Sequence, residues 1–248
     1  MKLLLWNIRH GGGARSNQIV GAITSHDPDI IALTEFRTKP GQVICQLLES
    51  KGWGYIQNTG PIDTENGICV LSRKLIQRRS PASPFSEHAV RWLDIGVPEE
   101  GFGLSAIHIP GSGTRVKYGE QRGAVKVRFW NALLEAATAR AHERLLLIGD
   151  FNTGLHGIDE AGSTFRCADD FERLSSIGWT DVWRRFHGQA TEYTWFSRVK
   201  GGRTGNGFRL DHAFATQSLL PSISACRYSH AEREQNISDH SLLILETK

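Results

Sequence analysis

At six places in this chain a short apolar run gives way to an acid, an amide or a histidine. They are Trp6-Asn7, Thr34-Glu35-Phe36, Ile107-His108-Ile109-Pro110, Gly149-Asp150-Phe151-Asn152, Arg209-Leu210-Asp211-His212 and Ser238-Asp239-His240-Ser241. The runs themselves, such as Leu3 to Ile8, Ile30 to Leu33 and Arg144 to Ile148, are too short for amphipathic helices and read as buried strands. A strand end is where a rigid sheet presents side chains to solvent and ligand, so such a chain collects its reactive groups at strand ends. Taken singly each segment is commonplace, because Asp and Asn also favour turns and caps. The ordered combination carries the weight.

Between these runs the periodicity alternates. Helical spacing appears in Asn17 to Ser25, Gly41 to Ser50, Tyr118 to Ala141 and Ala168 to Ser176. Further strands are expected at Trp53 to Gln57, Gly67 to Ser72, Arg91 to Ile95, Leu104 to Ile109, Tyr193 to Phe196, Phe208 to Ala215 and Leu242 to Glu246, with Lys200 to Gly207 as a glycine-rich loop. Strands that follow one another without helices imply antiparallel pairing. No repeat or linker interrupts the pattern, so residues 1–248 are expected to form one α/β domain with partly antiparallel sheets.

Composition removes several classes. At 40% hydrophobic and 22% charged residues the chain is too apolar for intrinsic disorder. Cys45, Cys69, Cys167 and Cys226 are far apart, which supports neither a zinc site nor a disulfide framework and fits reduced thiols in a cytoplasm. No apolar stretch is long enough to suggest membrane insertion. The net charge of +3 mildly favours a polyanionic partner. No protein partner can be inferred.

Glu35, Asp239 and Asn7 offer only oxygen ligands, the choice of a hard cation such as Mg2+, with Mn2+ as the alternative. Asp150 and Asn152, two residues apart, point to one side if the strand continues through them, pairing a carboxylate with an amide. Such a pair suits activation of a water and orientation of an anionic oxygen. On their own, Asn7 and Glu35 read equally well as satisfied strand-end groups, and Asp211 as an anchor for Arg209.

The order Trp-Asn, Thr-Glu, Gly-Asp-Phe-Asn, Arg-Leu-Asp and Ser-Asp-His, spanning residues 6 to 240, resembles the endonuclease/exonuclease/phosphatase superfamily, and within it the exonuclease III and apurinic/apyrimidinic endonuclease branch. The resemblance implies a DNase I-like fold, a four-layer α/β sandwich of two mixed, largely antiparallel sheets flanked by helices. It implies that Asn7, Glu35 and Asp239 position Mg2+, that Asp150 activates water, that Asn152 holds a phosphate oxygen and that Asp211 orients His240. It places Trp195, Phe208 and Leu210 where that branch has a pocket for a base-free sugar, although as residues they read first as core.

His108 stands where that branch commonly has tyrosine; it could donate to the phosphate or protonate the leaving oxygen, or be a hydrogen-bonded core histidine. Arg122 and Lys126 are expected on one helical face as DNA phosphate contacts, with Arg73, Lys74, Arg78, Arg79, Arg198, Lys200 and Arg203 as additional cations. The leading expectation is a Mg2+-dependent DNA nuclease of abasic or 3′-exonuclease type. The alternative is a phosphoesterase for a small molecule or lipid headgroup, of inositol phosphatase or sphingomyelinase kind. A non-catalytic module ranks last because every acid is present.

Overall fold

Successive residues of a strand point to opposite faces. In β1 (Lys2–Asn7) this sends Leu3 and Leu5 into one apolar cluster and Leu4 and Trp6 into another. A strand buried on both faces must lie inside a layered stack, and the remaining elements supply the layers. The computed structural model describes residues 1–62, 64–80, 89–114, 121–199 and 204–248. The further strands are β2 (Ile30–Phe36), β3 (Tyr55–Asn58), β4 (Gly67–Ser72), β5 (Gln77–Arg78), β6 (Trp92–Val97), β7 (Phe102–His108), β8 (Leu145–Asp150), β9 (Trp179–Asp181), β10 (Trp195–Arg198), β11 (Thr204–Phe208), β12 (Asp211–Thr216), β13 (Ile223–Ser229) and β14 (Leu242–Thr247). The helices are α1 (Ser16–His26), α2 (Thr38–Glu49), α3 (Ala124–Arg140), α4 (Ala168–Ser176), α5 (Val182–His187) and α6 (Ala231–Glu234).

Two six-stranded sheets result, in the orders β13-β14-β1-β2-β4-β3 and β5-β6-β7-β8-β12-β9, with β10 and β11 as a separate ribbon. Each sheet is antiparallel except for one parallel pair, β1 with β2 and β7 with β8. The sheets share a core that includes Leu5, Ala32 and Val70 from one and Leu104, Ile148 and Ala213 from the other. On the outer face of the first, Ile19 and Ile23 of α1 and Ile44 and Leu48 of α2 pack on Leu4, Trp6, Ile31 and Leu33. On the outer face of the second, Phe129, Trp130 and Leu133 of α3 and Phe171 and Leu174 of α4 pack on Ile107, Leu147 and Phe214. Burying each such aliphatic or aromatic side chain contributes about 1.5–3 kcal/mol. The expected four-layer architecture is therefore present, and no helix among the described residues is long and apolar enough to cross a membrane.

Several element boundaries differ from the sequence expectation. The long helix begins at Ala124, after a left-handed Gly123, so Arg122 lies in the turn before it; the expected start at Tyr118 falls outside the described residues. Thr204 to Gly207, expected as part of a loop, belong to β11, while Lys200 to Arg203 lie outside the described residues. The single strand expected from Phe208 to Ala215 is two strands with a corner between them. The corner is held by Arg209, fully buried between Asp159 (2.6 Å) and Asp181 (2.6 Å) and stacked 4.9 Å from the Trp183 ring centroid.

Burial opposes ionisation of Asp159 and Asp181, but the Arg209 guanidinium overrides it and holds both carboxyls below the usual range. Groups depressed in this way stabilise the fold above the unfolded carboxylate pKa of about 4 and lose that contribution as the pH falls through and below it. Arg209→Ala strips Asp181 of its guanidinium and leaves Asp159 with Arg184 alone, and is expected to lower unfolding free energy by about 3–5 kcal/mol at pH 7. Urea denaturation at pH 7 and pH 4 checks this: the deficit should shrink in acid as the stranded carboxyls protonate.

Candidate active site

The alternation that fills the core also builds the site. Asn7 has the parity of Leu3 and Leu5, His108 that of Leu104 and Ala106, Asp150 that of Leu146 and Ile148, and Asp211 that of Ala213 and Ala215. Register then aligns them across strands: His108 opposes Asp150 on the parallel side, and Asp211 opposes Asp150 on the antiparallel side. The polar residues are thus the continuation of the inter-sheet core beyond its apolar end. Gly149 permits the close β7–β8 approach, since a Cβ there would stand 2.0 Å from the Ile107 carbonyl oxygen. Phe151, fully buried against Trp130, Phe171 and Phe214, anchors the segment that follows.

Glu35 has the wrong parity, that of Ile31 and Leu33 on the helix-covered face. A bulge between Thr34 and Phe36 and a φ of 54° at Glu35 bring its carboxylate to the site instead. Its Oε1 accepts from Asn7 Nδ2 at 3.4 Å and its Oε2 from the His10 backbone N–H at 2.9 Å. Asn7 Nδ2 also donates to Asp150 Oδ2 at 3.0 Å, while Asn7 Oδ1 accepts from the Arg9 backbone N–H at 3.0 Å. The Asn7 amide thus bridges two carboxylates through its nitrogen, and its oxygen keeps a second lone pair beyond the Arg9 N–H bond.

Asp211 Oδ2 accepts from His240 Nδ1 at 2.9 Å. Burial alone would favour neutral imidazole, but Asp211 and then Asp150 raise His240 to about 10, so the ring is cationic at neutral pH. The backbone of this segment is locked to β1: Trp6 Nε1 donates to the His240 carbonyl at 3.1 Å and Ser238 Oγ to the Asn7 carbonyl at 2.6 Å. On the other side, Arg91 Nη1 donates to His108 Nδ1 at 2.9 Å. A guanidinium has no acceptor, so Nδ1 must be the unprotonated nitrogen and Nε2 carries the hydrogen. Burial, Arg91 and His240 all push the His108 pKa well down, keeping it neutral. The Nε2 atoms of His108 and His240 lie 3.8 Å and 4.0 Å from Asp150 Oδ2, too far for direct hydrogen bonds. Asp150 itself is raised to about 7 by burial, opposed by His240 and reinforced by Asp211 and Glu35.

The acids suit a divalent cation. Glu35, Asp150 and Asp211 crowd negative charge at one end of the sheets, and Asp211 Oδ1 is buried without a hydrogen-bond partner. Asp150, Asp211 and His240 have ligand atoms within 4.8 Å of one another. Glu35 and Asp239 add oxygen donors of the kind a hard cation takes, and both act electrostatically on Arg15.

The remaining expected residues divide. Asn152 does not continue the strand. It has a φ of 49°, its N–H donates to Asp150 Oδ1 at 2.9 Å, and its Nδ2 to the Ile109 carbonyl at 2.9 Å. Trp195 and Phe208 are half-buried, with ring centroids 5.8 Å apart, and Trp195 Nε1 donates to Asp239 Oδ2 at 3.4 Å, so they wall the site; Leu210 is buried beside them in sequence. Lys126 is a correction: it is 1% exposed and donates to the Asn152 carbonyl, because the helix face it occupies looks inward. Burial lowers it to about 8. Arg122 is exposed and stays near the site, since a Cβ on Gly113 would lie 3.5 Å from its Nη2 and one on Gly111 3.5 Å from Asn152 Oδ1. Arg73, Lys74 and Arg79 pair with Asp27, Glu100 and Glu143, and Arg78 binds the Asn58 carbonyl, which commits them to the scaffold.

Three contributors had no signal in the sequence. Arg91 enters from a 3-10 turn, His10 lies 3.0 Å from Glu35, and Arg15 ties the glycine loop to the Ile8, Arg9 and Ile237 carbonyls. Antiparallel pairing of β6 with β7, which sets Trp92 opposite Ile107, brings Arg91 beside His108.

Comparison with known proteins agrees with this geometry. The sequence model described as Endonuclease/Exonuclease/phosphatase family matches residues 4–240. An exodeoxyribonuclease of Streptococcus pneumoniae is 23% identical, with 99% of each chain covered. Exodeoxyribonuclease III of Haemophilus influenzae is 24% identical over 88% of this chain and 89% of its own. Among solved structures, the 3′ phosphatase NExo from Neisseria bound to product DNA hairpin superposes with a TM-score of 0.83 at 21% identity, covering 100% of this chain and 99% of that one. An AP endonuclease from Archaeoglobus fulgidus also gives 0.83, at 18% identity and the same coverage.

The hydrogen-bond pattern sets the two imidazoles apart. Nitrogen-detected NMR at pH 7 should find His240 doubly protonated and His108 neutral with its hydrogen on Nε2. In Asp211→Asn the carboxylate that holds the proton on His240 is gone, so the His240 titration should move down in pH. An unchanged His240 titration, or an Nδ1–H tautomer at His108, would contradict the assignment.

Proposed function

The chain belongs to the endonuclease/exonuclease/phosphatase family and is a phosphoric ester hydrolase, and from that premise we propose that it is a Mg2+-dependent DNA phosphodiesterase acting at abasic sites or 3′ ends, with residues 1–248 as one catalytic domain. The observation that carries this reading is the Asp150 carboxylate facing Nε2 of His108 and of His240, each ring fixed from behind by Arg91 or Asp211.

Phosphoryl transfer needs an in-line water, charge neutralisation on the phosphoryl oxygens and little covalent chemistry from the protein. Asp150, raised to about 7, is poised to accept the proton of the attacking water near neutral pH. Asn152 and the cationic His240 donate to phosphoryl oxygens, and neutral His108 donates through Nε2 to the same group or to the leaving oxygen. Glu35 and Asp239 would hold the divalent cation, whose contribution when bound is to neutralise charge developing on the ester oxygens. Asn7 keeps the carboxylates of Glu35 and Asp150 oriented. Trp195, Phe208 and Leu210 supply an apolar wall for a sugar, and Arg122 a cation on the rim. The names of the exodeoxyribonuclease relatives support DNA as the substrate.

One feature favours a second reading. A histidine buttressed by arginine at position 108 is equally serviceable for a small phosphomonoester, which makes a phosphatase of small molecules or lipid headgroups the alternative.

The test is a parallel assay of an abasic duplex, a 3′-recessed duplex, bis-p-nitrophenyl phosphate and inositol phosphates, in Mg2+ and in EDTA. Asp150→Asn and His240→Ala should each lower DNA cleavage by about a hundredfold to ten-thousandfold while circular dichroism stays native. EDTA should abolish turnover and Mg2+ restore it. Retained turnover in either variant would remove the assigned roles, and preference for inositol phosphates would transfer the reading to the alternative.

A further inference from the structure

Next to the site, between the β10–β11 ribbon and the turn that leads to Asp239, lies a cavity of about 370 Å3, lined by Arg9, Arg198 and Arg233 together with Thr204, Asn236 and Asp239. This size lies within the range of small-ligand pockets. Its charge is unbalanced. Among the described residues neither Arg9 nor Arg198 has a side-chain ion pair or hydrogen bond. Arg233 spends its Nε on Ser241 Oγ at 2.9 Å and stands 4.6 Å from the Phe196 ring centroid, so its two terminal nitrogens remain available. The one carboxylate, Asp239, already accepts from Trp195 Nε1.

Arg9 is also held where it is at a cost. It is the first of five consecutive residues, Arg9 to Gly13, with positive φ, and its own value of 51° is strained for a side chain with a Cβ. The Arg15 guanidinium fixes this loop by binding the Arg9 carbonyl at 2.6 Å, and it does so against repulsion: burial first, then Arg9, lowers the Arg15 pKa. A loop that keeps an unpaired guanidinium beside another cation, facing a polar cavity, is arranged for an anion. Guanidinium forks and hydroxyl or amide donors are the groups that recognise phosphate. The cavity is one residue along the chain from His240, whose ring faces Asp150 at 4.0 Å.

We propose that this cavity is a second phosphate subsite, in which Arg9, Arg198 and Arg233 bind a phosphate group of the substrate other than the one hydrolysed. The proposal rests on the reading of the chain as a nucleic-acid phosphodiesterase. The same chemistry could be presented by the internucleotide phosphate adjoining the scissile bond or by a terminal phosphate on the strand.

Kinetics of Arg9→Gln and of Arg9→Gln with Arg198→Gln provide the test. The substrates are thymidine 5′-monophosphate p-nitrophenyl ester, which has one phosphate, and a duplex oligonucleotide. Two modified duplexes accompany them, one with a neutral methylphosphonate next to the scissile linkage and one lacking its terminal phosphate. Removing each arginine should raise KM for the duplex by about tenfold, with a smaller change in kcat. The wild-type protein should lose a similar factor on whichever modified duplex lacks the recognised phosphate, which identifies the source. An equal loss of kcat/KM on the one-phosphate ester, or no loss on the duplex, would overturn the subsite. If the wild-type protein cleaves no DNA, the proposed function fails, and calorimetric titration with inorganic phosphate in EDTA decides the subsite by itself. Binding lost in the double variant supports it, and binding equal to wild type overturns it.

Discussion

The amide of Asn7 joins the two sheets where their shared core ends. It donates to Asp150, 143 residues away, at 3.0 Å and to Glu35 at 3.4 Å, so a side chain from the first sheet fixes a carboxylate on the second. That contact needs both parallel pairs to end together, β1 with β2 on one side and β7 with β8 on the other. It also needs Asn7 to face inward, which strand alternation ensures. Around it the Ser238 and Trp6 bonds clamp the Asp239–His240 segment onto β1. The site is thereby built on strand ends and held by a sheet-to-sheet core, which gives reacting groups the rigidity that precise orientation requires.

Burial at this point is electrostatically expensive, and the structure offsets the cost unequally. Asp159 and Asp181 are fully compensated by Arg209 and kept ionised, which makes them scaffold. Asp150 is compensated only in part, its carboxyl raised to about 7, because His240 is already bound to Asp211 and Asn7 brings no charge. The contrast separates acids committed to the scaffold from one left only partly compensated better than residue type does. The two histidines follow the same logic. A carboxylate behind His240 makes it a cation, and a guanidinium behind His108 keeps it neutral with a defined hydrogen on Nε2. Two rings of the same kind are thereby given two different donor strengths.

Local periodicity made much of this legible. The apolar runs at Leu3, Ile30, Leu104 and Leu145 are strands, their polar ends converge, and the Gly-Asp-Phe-Asn segment does what each residue type suggests: Gly149 for close approach, Phe151 as an anchor, Asp150 as the buried acid. Other readings failed for identifiable reasons. Spacing puts Arg122 and Lys126 on one helical face, but the helix starts at Ala124 and Lys126 is buried against the Asn152 carbonyl. The donation of the Asn7 amide to both Glu35 and Asp150 is invisible in the sequence, which does not show which neighbours each end of an amide meets.

The order and types of the residues determined, without coordinates, the family resemblance, the layered α/β architecture and the kind of chemistry, because strand burial and side-chain chemistry are short-range properties. Tertiary structure alone decided which way the groups act. The bulge that turns Glu35 inward, the withdrawal of Lys126 and the gathering of Arg9, Arg198 and Arg233 around one cavity all depend on segments that meet only in the folded chain. Charge state and hydrogen-bond direction depend on what stands within a few ångströms, and that neighbourhood is set by the packing of the two sheets.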